Sequence, residues 1–385
     1  MKPIKLKSIE IVKGLSIFII IFSNSINYWL IFDDELKDIF GFILSILEVL
    51  GPSLYIFVMS FSISFTLNRK MGTYPEKKNR NKIIKRAFFL VLLGSFYNII
   101  LNPNLKFPTN LWGWNILVFI GFSQIICYLA YKLVRWARLV IGLIIIFLTS
   151  GIREFLFIGK EINPIIDIIH FVIVSPFPNY SLLPYASISF FSTVFGELVF
   201  ESITLDSNKA ILLSTQSIIK YSIVLLICGL LLPFIDFGLI VSTDNFNPSR
   251  YPFLEAIPVL RAHTLLFIAG LPLFLLKGTP SNLFLVMGLA LLIIAIFYYY
   301  SDVLRKNGKI YHILNLYGRH SITIFFLQFF FLLILYQNVL FFLFIPYLIL
   351  YIAILGVLFF LCQKNGKSFL SLDWIIDKLG GKTKD

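Results

Sequence analysis

Residues 7–29 of the chain read KSIEIVKGLSIFIIIFSNSINYW, an apolar run with charged side chains near its start and amides near its end. A run of this length matches the ~20 residues that a helix needs to cross the apolar core of a bilayer. A simple membrane anchor has no use for Glu10 and Lys13 at one end, or for Asn24 and Asn27 at the other. The stretch therefore predicts a membrane-spanning helix and leaves open what its polar groups contact.

The composition extends this prediction to the whole chain. Of the 385 residues, 58% are hydrophobic and only 14% are charged, whereas soluble domains carry about 25% charged residues. The apolar residues recur in blocks of about 18–25, which favours helices over the short alternating strands of a membrane barrel. We predict an all-α polytopic transmembrane bundle of about 10–11 helices, forming a single domain over residues 1–385.

The charge distribution predicts the topology. A net charge of +13 is ordinary for a membrane protein, because Lys and Arg accumulate on cytoplasmic loops, and we expect no nucleic-acid partner. The lysines at positions 2, 5 and 7 place the N-terminus in the cytoplasm, and we expect the cell membrane as the location. The C-terminal lysines indicate the same side, so one span must be incomplete, and residues 260–277, broken by Pro272, are the best candidate. The predicted spans are 11–32, 42–67, 84–101, 115–134, 138–158, 182–200, 217–242, 260–277, 281–300, 317–337 and 339–362.

Motifs of common soluble chemistries are missing from the sequence. The three cysteines lie within or at the ends of apolar blocks with no metal-like spacing, so neither disulfides nor zinc are indicated. No nucleophile-elbow, zinc-protease, P-loop or dinucleotide motif occurs. We therefore predict no metal site.

Polar residues inside the predicted spans are the best candidates for function, since such groups usually face a cavity or a partner. Glu10 and Lys13 are three residues apart and can pair on one helix face, although an interfacial snorkelling pair explains them equally well. Asn24 lies about 21 Å along the helix from Glu10, where its amide can contact a substrate or a neighbouring helix. Among the four histidines, only His170, in the loop 159–181, fits a reaction centre at the outer face. We expect this long loop and the loop 102–114 to be non-helical.

Several stretches resemble, in order, segments of one protein family. SIEIVKGLSIFIIIFSN (8–24) resembles the opening signature of the transmembrane acyltransferase superfamily, in which an acidic residue and Arg-Gly precede an apolar helix that ends in Asn. The branch that it resembles most is the heparan-α-glucosaminide N-acetyltransferase-like proteins. Later matches are LGPSLYIFVMSFSISFTLNRK, KIIKRAFFLVLLG, WNILVFIGFSQIICYLA, YSLLPYASISFFSTVFGELVF, LYGRHSITIFFLQFF and SLDWIIDKL.

The resemblance implies a membrane-bound acyltransferase that moves an acyl group, most simply acetyl, from cytoplasmic acyl-CoA to an amine or hydroxyl of a sugar-like acceptor at the outer face. Acyl-CoA is then a co-substrate, the bilayer and the acceptor are partners, and a homodimer is left open. Asn24 is expected to stabilise the thioester oxygen. The donor is expected to contact Lys13, Glu10, Lys85, Arg86, Gln124, His320 and Ser321.

The sequence departs from the family pattern where a base is needed. The histidine expected about eleven residues after Asn24 is missing, and Glu35 stands there beside Asp34. A carboxylate is a weak base unless it is desolvated, so Glu35, Asp34 and His170 all remain candidates. The histidine usual in the penultimate helix is Gln328. A transporter or flippase-like protein of the same fold, without acyl transfer, is the alternative function.

Overall fold

The structure, a computed structural model, describes residues 6–30, 34–71, 75–101, 106–174, 180–204, 208–236, 240–241, 271–275, 277–336, 338–364 and 371–379. Its helices are α1 (Lys7–Trp29), α2 (Asp34–Met71), α3 (Glu76–Leu101), α4 (Ile116–Tyr131), α5 (Arg135–Gly159), α6 (Pro164–Ile173), α7 (Leu182–Thr204), α8 (Asn208–Leu231), α9 (Pro233–Asp236), α10 (Pro280–Phe297), α11 (Lys309–Arg319), α12 (Ser321–Ile334), α13 (Phe341–Lys364) and α14 (Leu372–Leu379). A π-helical turn, Tyr298–Val303, continues α10. Two short strands, β1 (Ile240–Val241) and β2 (Leu271–Pro272), pair antiparallel.

The predicted all-α membrane bundle is confirmed. Within the described ranges, seven helices are long and apolar enough to cross a membrane: α1, most of α2, α5, α7, most of α8, α10 with its π turn, and α13. The predicted total of about ten crossings stays a prediction, since residues 242–270 lie outside the described part of the chain. The suspected partial span 260–277 is described only near its end, where Leu271–Pro272 is a strand and Leu273–Leu275 a 3-10 turn.

Helix α1 contacts several other helices of the bundle. It packs against α2, α11 and α12 and also contacts α10 and α13. At its start, Asp302 of the π turn accepts hydrogen bonds from the backbone N–H groups of Lys7 (2.8 Å) and Ser8 (3.0 Å). A carboxylate is favourable there because the first N–H groups of a helix have no intrahelical partner. We call the end of the bundle where α1 begins the amino-terminal end.

Helices α1 and α11 approach each other until their backbones meet. A Cβ added at Gly318 of α11 would collide with the backbone carbonyl of Glu10. Reciprocally, a Cβ at Gly14 would collide with the carbonyl of Leu314. Glycine at both positions is therefore what allows the two helices to cross so closely.

Three predicted boundaries were wrong. The loop 159–181 is not wholly non-helical, because Asn163 caps α6 through the Ile165 N–H at 2.9 Å, with Pro164 in the first turn. The predicted span 217–242 ends earlier, at Leu231, shortly before Pro233. The predicted span 317–337 is split at His320, whose non-helical backbone separates the amphipathic α11 from α12.

Glu197, which is a polar residue of a predicted span, has a structural role. Its carboxylate accepts a hydrogen bond from Arg135 of α5 at 3.1 Å and forms an ion pair with Arg138, with 2.7 Å between nitrogen and oxygen. Arg138 is almost fully buried, so the carboxylate compensates a charge that would otherwise be costly in the bundle. The pairs join the start of α5 to the end of α7.

Candidate functional site

A basic cavity lies between α1, α2, α3, α4, α12 and α14, near the amino-terminal end of the bundle. Three cations line it: Lys13 from α1, and Lys82 and Arg86 from α3. Amides of Asn79 and Gln124 also line it. Among the described residues the lining contains no carboxylate, so this cavity favours an anionic ligand.

The sequence of α3 explains the basic wall. Asn79, Lys82 and Arg86 follow each other at spacings of three and four residues, which places all three on one face of the helix. Lys85, which we had expected at the donor site, points to another face, is exposed and does not line the cavity. Sequence reasoning missed Asn79 and Lys82, although their spacing from Arg86 was a readable signal.

Glu10 and Lys13 form the pair that the sequence predicts. The Lys13 Nζ atom lies 3.8 Å from Oε1 of Glu10, and both side chains are largely buried. Glu10 is not part of the cavity lining, whereas Lys13 is. The carboxylate therefore holds the ammonium group from the side while Lys13 still borders the cavity.

His320 and Ser321 lie beside the cavity but do not line it. The next residue, Ile322, does line it. His320 is buried and stacks on Phe359, with ring centroids 4.9 Å apart. Ser321 accepts a hydrogen bond from the Tyr55 hydroxyl at 3.0 Å. The structure thus brings the two residues close to the cavity, in contacts that stabilise the junction of α11, α12 and α2.

Asn24 lies about 16 Å beyond Lys13 along α1. It is partly buried, and none of the described residues forms a hydrogen bond with its side chain. Gln328 of α12 is fully buried and donates to the carbonyl of Ile20 at 3.4 Å. Because the Ile20 carbonyl belongs to the helical turn that leads to Asn24, Gln328 fixes α12 against that turn.

Asp34 and Glu35 form the first turn of α2, and their side chains lie outside the described residues. Helices α1 and α2 run antiparallel as a hairpin, and Gly51 of α2 contacts Ile19 and Ile20 of α1. At 1.5 Å per residue, Glu35 then lies roughly 18 Å beyond the level of Asn24. This position does not favour direct contact between either carboxylate and a group bound at Asn24.

His170 lies in α6 and is half-buried against Phe157 of α5, with ring centroids 6.2 Å apart. Burial lowers the pKa of His170, and the nearby ammonium group of Lys160 lowers it further. The imidazole is therefore neutral near pH 7 and able to accept a proton. Its packing partner is α5, however, and not the turn of α1 that carries Asn24.

Two tryptophans fix α6 in place. The indole N–H of Trp114 donates to the carbonyl of Val172 at 2.8 Å, and that of Trp112 to Phe171 at 3.0 Å. These bonds satisfy carbonyls at the end of α6 that have no intrahelical partner. Loop 106–115 and α6 consequently form one packed unit.

Comparison with known proteins assigns the family. No curated protein matches the chain. The family model described as heparan-alpha-glucosaminide N-acetyltransferase, catalytic, matches residues 5–228, from α1 into α8 and more than half of the chain. With its seven long apolar helices, the chain is an integral membrane protein that belongs to the heparan-alpha-glucosaminide N-acetyltransferase catalytic family.

Proposed function

We propose that the protein transfers an acetyl group from acetyl-CoA, bound in the basic cavity, to an amine or hydroxyl of a sugar-like acceptor on the other side of the cell membrane. The observation that carries this proposal is the convergence of Lys13, Lys82 and Arg86 on one cavity. Cations are the side chains that bind the phosphates of CoA. The lysine-rich N-terminus supports a cytoplasmic position for this end of the bundle, where acyl-CoA is available.

The distance between the cavity and Asn24 fits a donor molecule as extended as acyl-CoA. About 16 Å lies between the levels of Lys13 and Asn24 along α1. A nucleotide bound among the cations can extend its linear pantetheine arm along α1, which brings the thioester to the Asn24 amide. A compact ligand that fits the cavity would not reach this residue.

The chemistry then needs an oxyanion donor and a proton acceptor. The acceptor nitrogen or oxygen attacks the thioester carbonyl carbon, a C–N or C–O bond forms, and the C–S bond breaks. Asn24 donates its amide N–H to the carbonyl oxygen as negative charge develops there. The acceptor proton leaves to a base, and the CoA thiolate takes up a proton. Asp34, Glu35 and His170 stay the candidates for this base, although their positions do not favour direct contact with a group bound at Asn24.

Calorimetry of acetyl-CoA binding to the purified protein in detergent tests the donor site. We expect Lys82→Ala to weaken binding about tenfold or more, because it removes a charged contact to phosphate. Lys85→Ala is the matched control, being a lysine of the same helix outside the cavity, and should leave the affinity unchanged. Absence of binding to the folded wild-type protein would overturn the proposal and favour a transporter of the same fold.

An assay with glucosamine as the probe acceptor tests the chemical step. We expect Asn24→Ala to lower kcat about 100-fold or more, the usual cost of losing an oxyanion donor, with little change in acetyl-CoA affinity. Equal losses of affinity and kcat would instead assign Asn24 to packing between helices.

A further inference from the structure

The C-terminal helix α14 forms one wall of the basic cavity. Its Ile376 is 2% exposed and lines the cavity. Helix α14 packs against α12 and also against α3, the helix that carries Lys82 and Arg86. It lies beyond residues 5–228, the part of the chain matched by the family model. A wall of the donor cavity is therefore built from a segment that the family match does not reach.

One side chain of α14 is hydrogen-bonded to the start of α12. Asp373 accepts hydrogen bonds from the N–H of Thr323 (3.0 Å), the hydroxyl of Thr323 (2.6 Å) and the N–H of Ile322 (3.3 Å). In return, the N–H of Asp373 donates to the Thr323 hydroxyl at 3.4 Å. The carboxyl group of Asp373 thus caps the first turn of α12, whose N–H groups have no partner within the helix.

Helix α14 depends on these contacts. It spans only Leu372–Leu379, and isolated helices much shorter than ~12–15 residues are marginal in water. The other walls belong to α1, α2, α3, α4 and α12, each longer and anchored within the bundle. The wall that can detach at least cost is therefore α14.

We propose that Asp373 is a positioning residue of the donor site: by capping α12 it holds α14 across the basic cavity, and α14 retains the bound donor. This inference rests on the proposed function. Asp373 itself touches neither the thioester nor the acceptor. Its effect is exerted on the rate at which acetyl-CoA leaves the cavity.

The test is the dissociation rate of acetyl-CoA, measured by stopped-flow displacement from the wild-type protein and from Asp373→Ala in detergent. We expect Asp373→Ala to raise the dissociation rate about tenfold, and to raise KM for acetyl-CoA by a similar factor with less than a threefold change in kcat. A merely structural role would lower kcat together with thermal stability. Lys378→Ala, on an exposed residue of the same helix, is the matched control and should behave as the wild type.

A second variant covers the case in which Asp373→Ala does not fold. Thr323→Val keeps the side-chain volume and removes the hydroxyl group, and with it both hydrogen bonds that this hydroxyl forms with Asp373. The bonds from the backbone N–H groups to Asp373 remain, so we expect a smaller increase of the dissociation rate in the same direction. If the wild type binds acetyl-CoA and neither variant releases it faster, this inference is overturned and the proposed function stands. If the folded wild type binds no acetyl-CoA, the proposed function fails, and the inference fails with it.

Discussion

The side-chain amide of Gln328 donates a hydrogen bond to the backbone carbonyl of Ile20, with 3.4 Å between nitrogen and oxygen. Both residues are almost fully buried. The bond joins α12 to α1 one helical turn before Asn24 and well beyond the basic cavity. Gln328 therefore acts on the position of Asn24 and not on the binding of an anion near Lys13.

We expect Gln328→Leu to lower kcat about tenfold, because a small displacement of a catalytic group has a large effect on the rate. KM for acetyl-CoA should not change, since Gln328 does not line the cavity. Gln328→His is the matched control: imidazole can donate the same hydrogen bond, so activity should be retained. The measurement is the steady-state rate of acetyl transfer to glucosamine. An unchanged kcat in Gln328→Leu would show that Gln328 does not position Asn24.

Gly318 offers a test of the packing between α1 and α11. We expect Gly318→Ala to destabilise the protein by about 1–3 kcal/mol, because the new methyl group collides with the Glu10 carbonyl and forces the helices apart. The readout is the midpoint of thermal unfolding in detergent. Gly151→Ala in α5 is the control, since a Cβ there meets no atom within 4 Å. That substitution should be neutral or stabilising by roughly 0.5–1 kcal/mol, because alanine favours the helix. Equal losses of stability in both variants would show that the collision with the Glu10 carbonyl is not the cause.

Profiles of kcat against pH test whether Asp34, Glu35 or His170 is the base. We expect Asp34→Asn and Glu35→Gln each to lower kcat less than tenfold, because the start of α2 lies roughly 18 Å beyond the level of Asn24. We expect a similarly small effect for His170→Ala, since His170 packs against Phe157 of α5. The measurement is kcat against pH for each variant. A loss above 100-fold together with disappearance of the acidic limb would identify that residue as the base.

Helix periodicity and composition were enough to predict the bundle and the polar start of α1. The family resemblance also pointed to Lys13, Arg86 and Gln124, which the structure brings together in one cavity. The sequence analysis named Lys85 and not Lys82, because a sequence shows which lysines share a helix but not which of them faces the cavity. The rotation of the helix about its axis is set by tertiary packing.

The sequence was less informative about contacts between backbones and about contacts between residues far apart in the chain. The close crossing of α1 and α11 depends on Gly14 and Gly318, and a glycine in a membrane helix has many other uses. The bond between Asp373 and Thr323 joins residues fifty positions apart, at a separation that no local spacing rule covers. Single-sequence reasoning therefore found the charged half of the cavity and missed its C-terminal wall.

The contact between Asp373 and α12 makes the docking of α14 depend on pH. Burial raises the pKa of Asp373 from 3.8 to about 6, although hydrogen bonds from Thr323 and the charge of Lys13 act in the opposite direction. Tyr55 of α2 lies within electrostatic range of the carboxylate. The undocked carboxyl has its ordinary, lower pKa, so protonation favours the docked state. Docking is therefore strongest at low pH and weakens as the pH rises through 6.

Lowering the pH from 7 to 5 should accordingly strengthen the docking of α14 about tenfold, since one pKa unit corresponds to a factor of ten. Hydrogen–deuterium exchange of the peptide 371–379, corrected for the intrinsic rate at each pH, measures this equilibrium. We expect about tenfold more protection at pH 5 in the wild type and no such difference in Asp373→Asn, whose amide does not titrate. Weaker protection of the wild type at pH 5 would mean that the hydrogen bonds from Thr323 outweigh burial and that the docked carboxyl has the lower pKa.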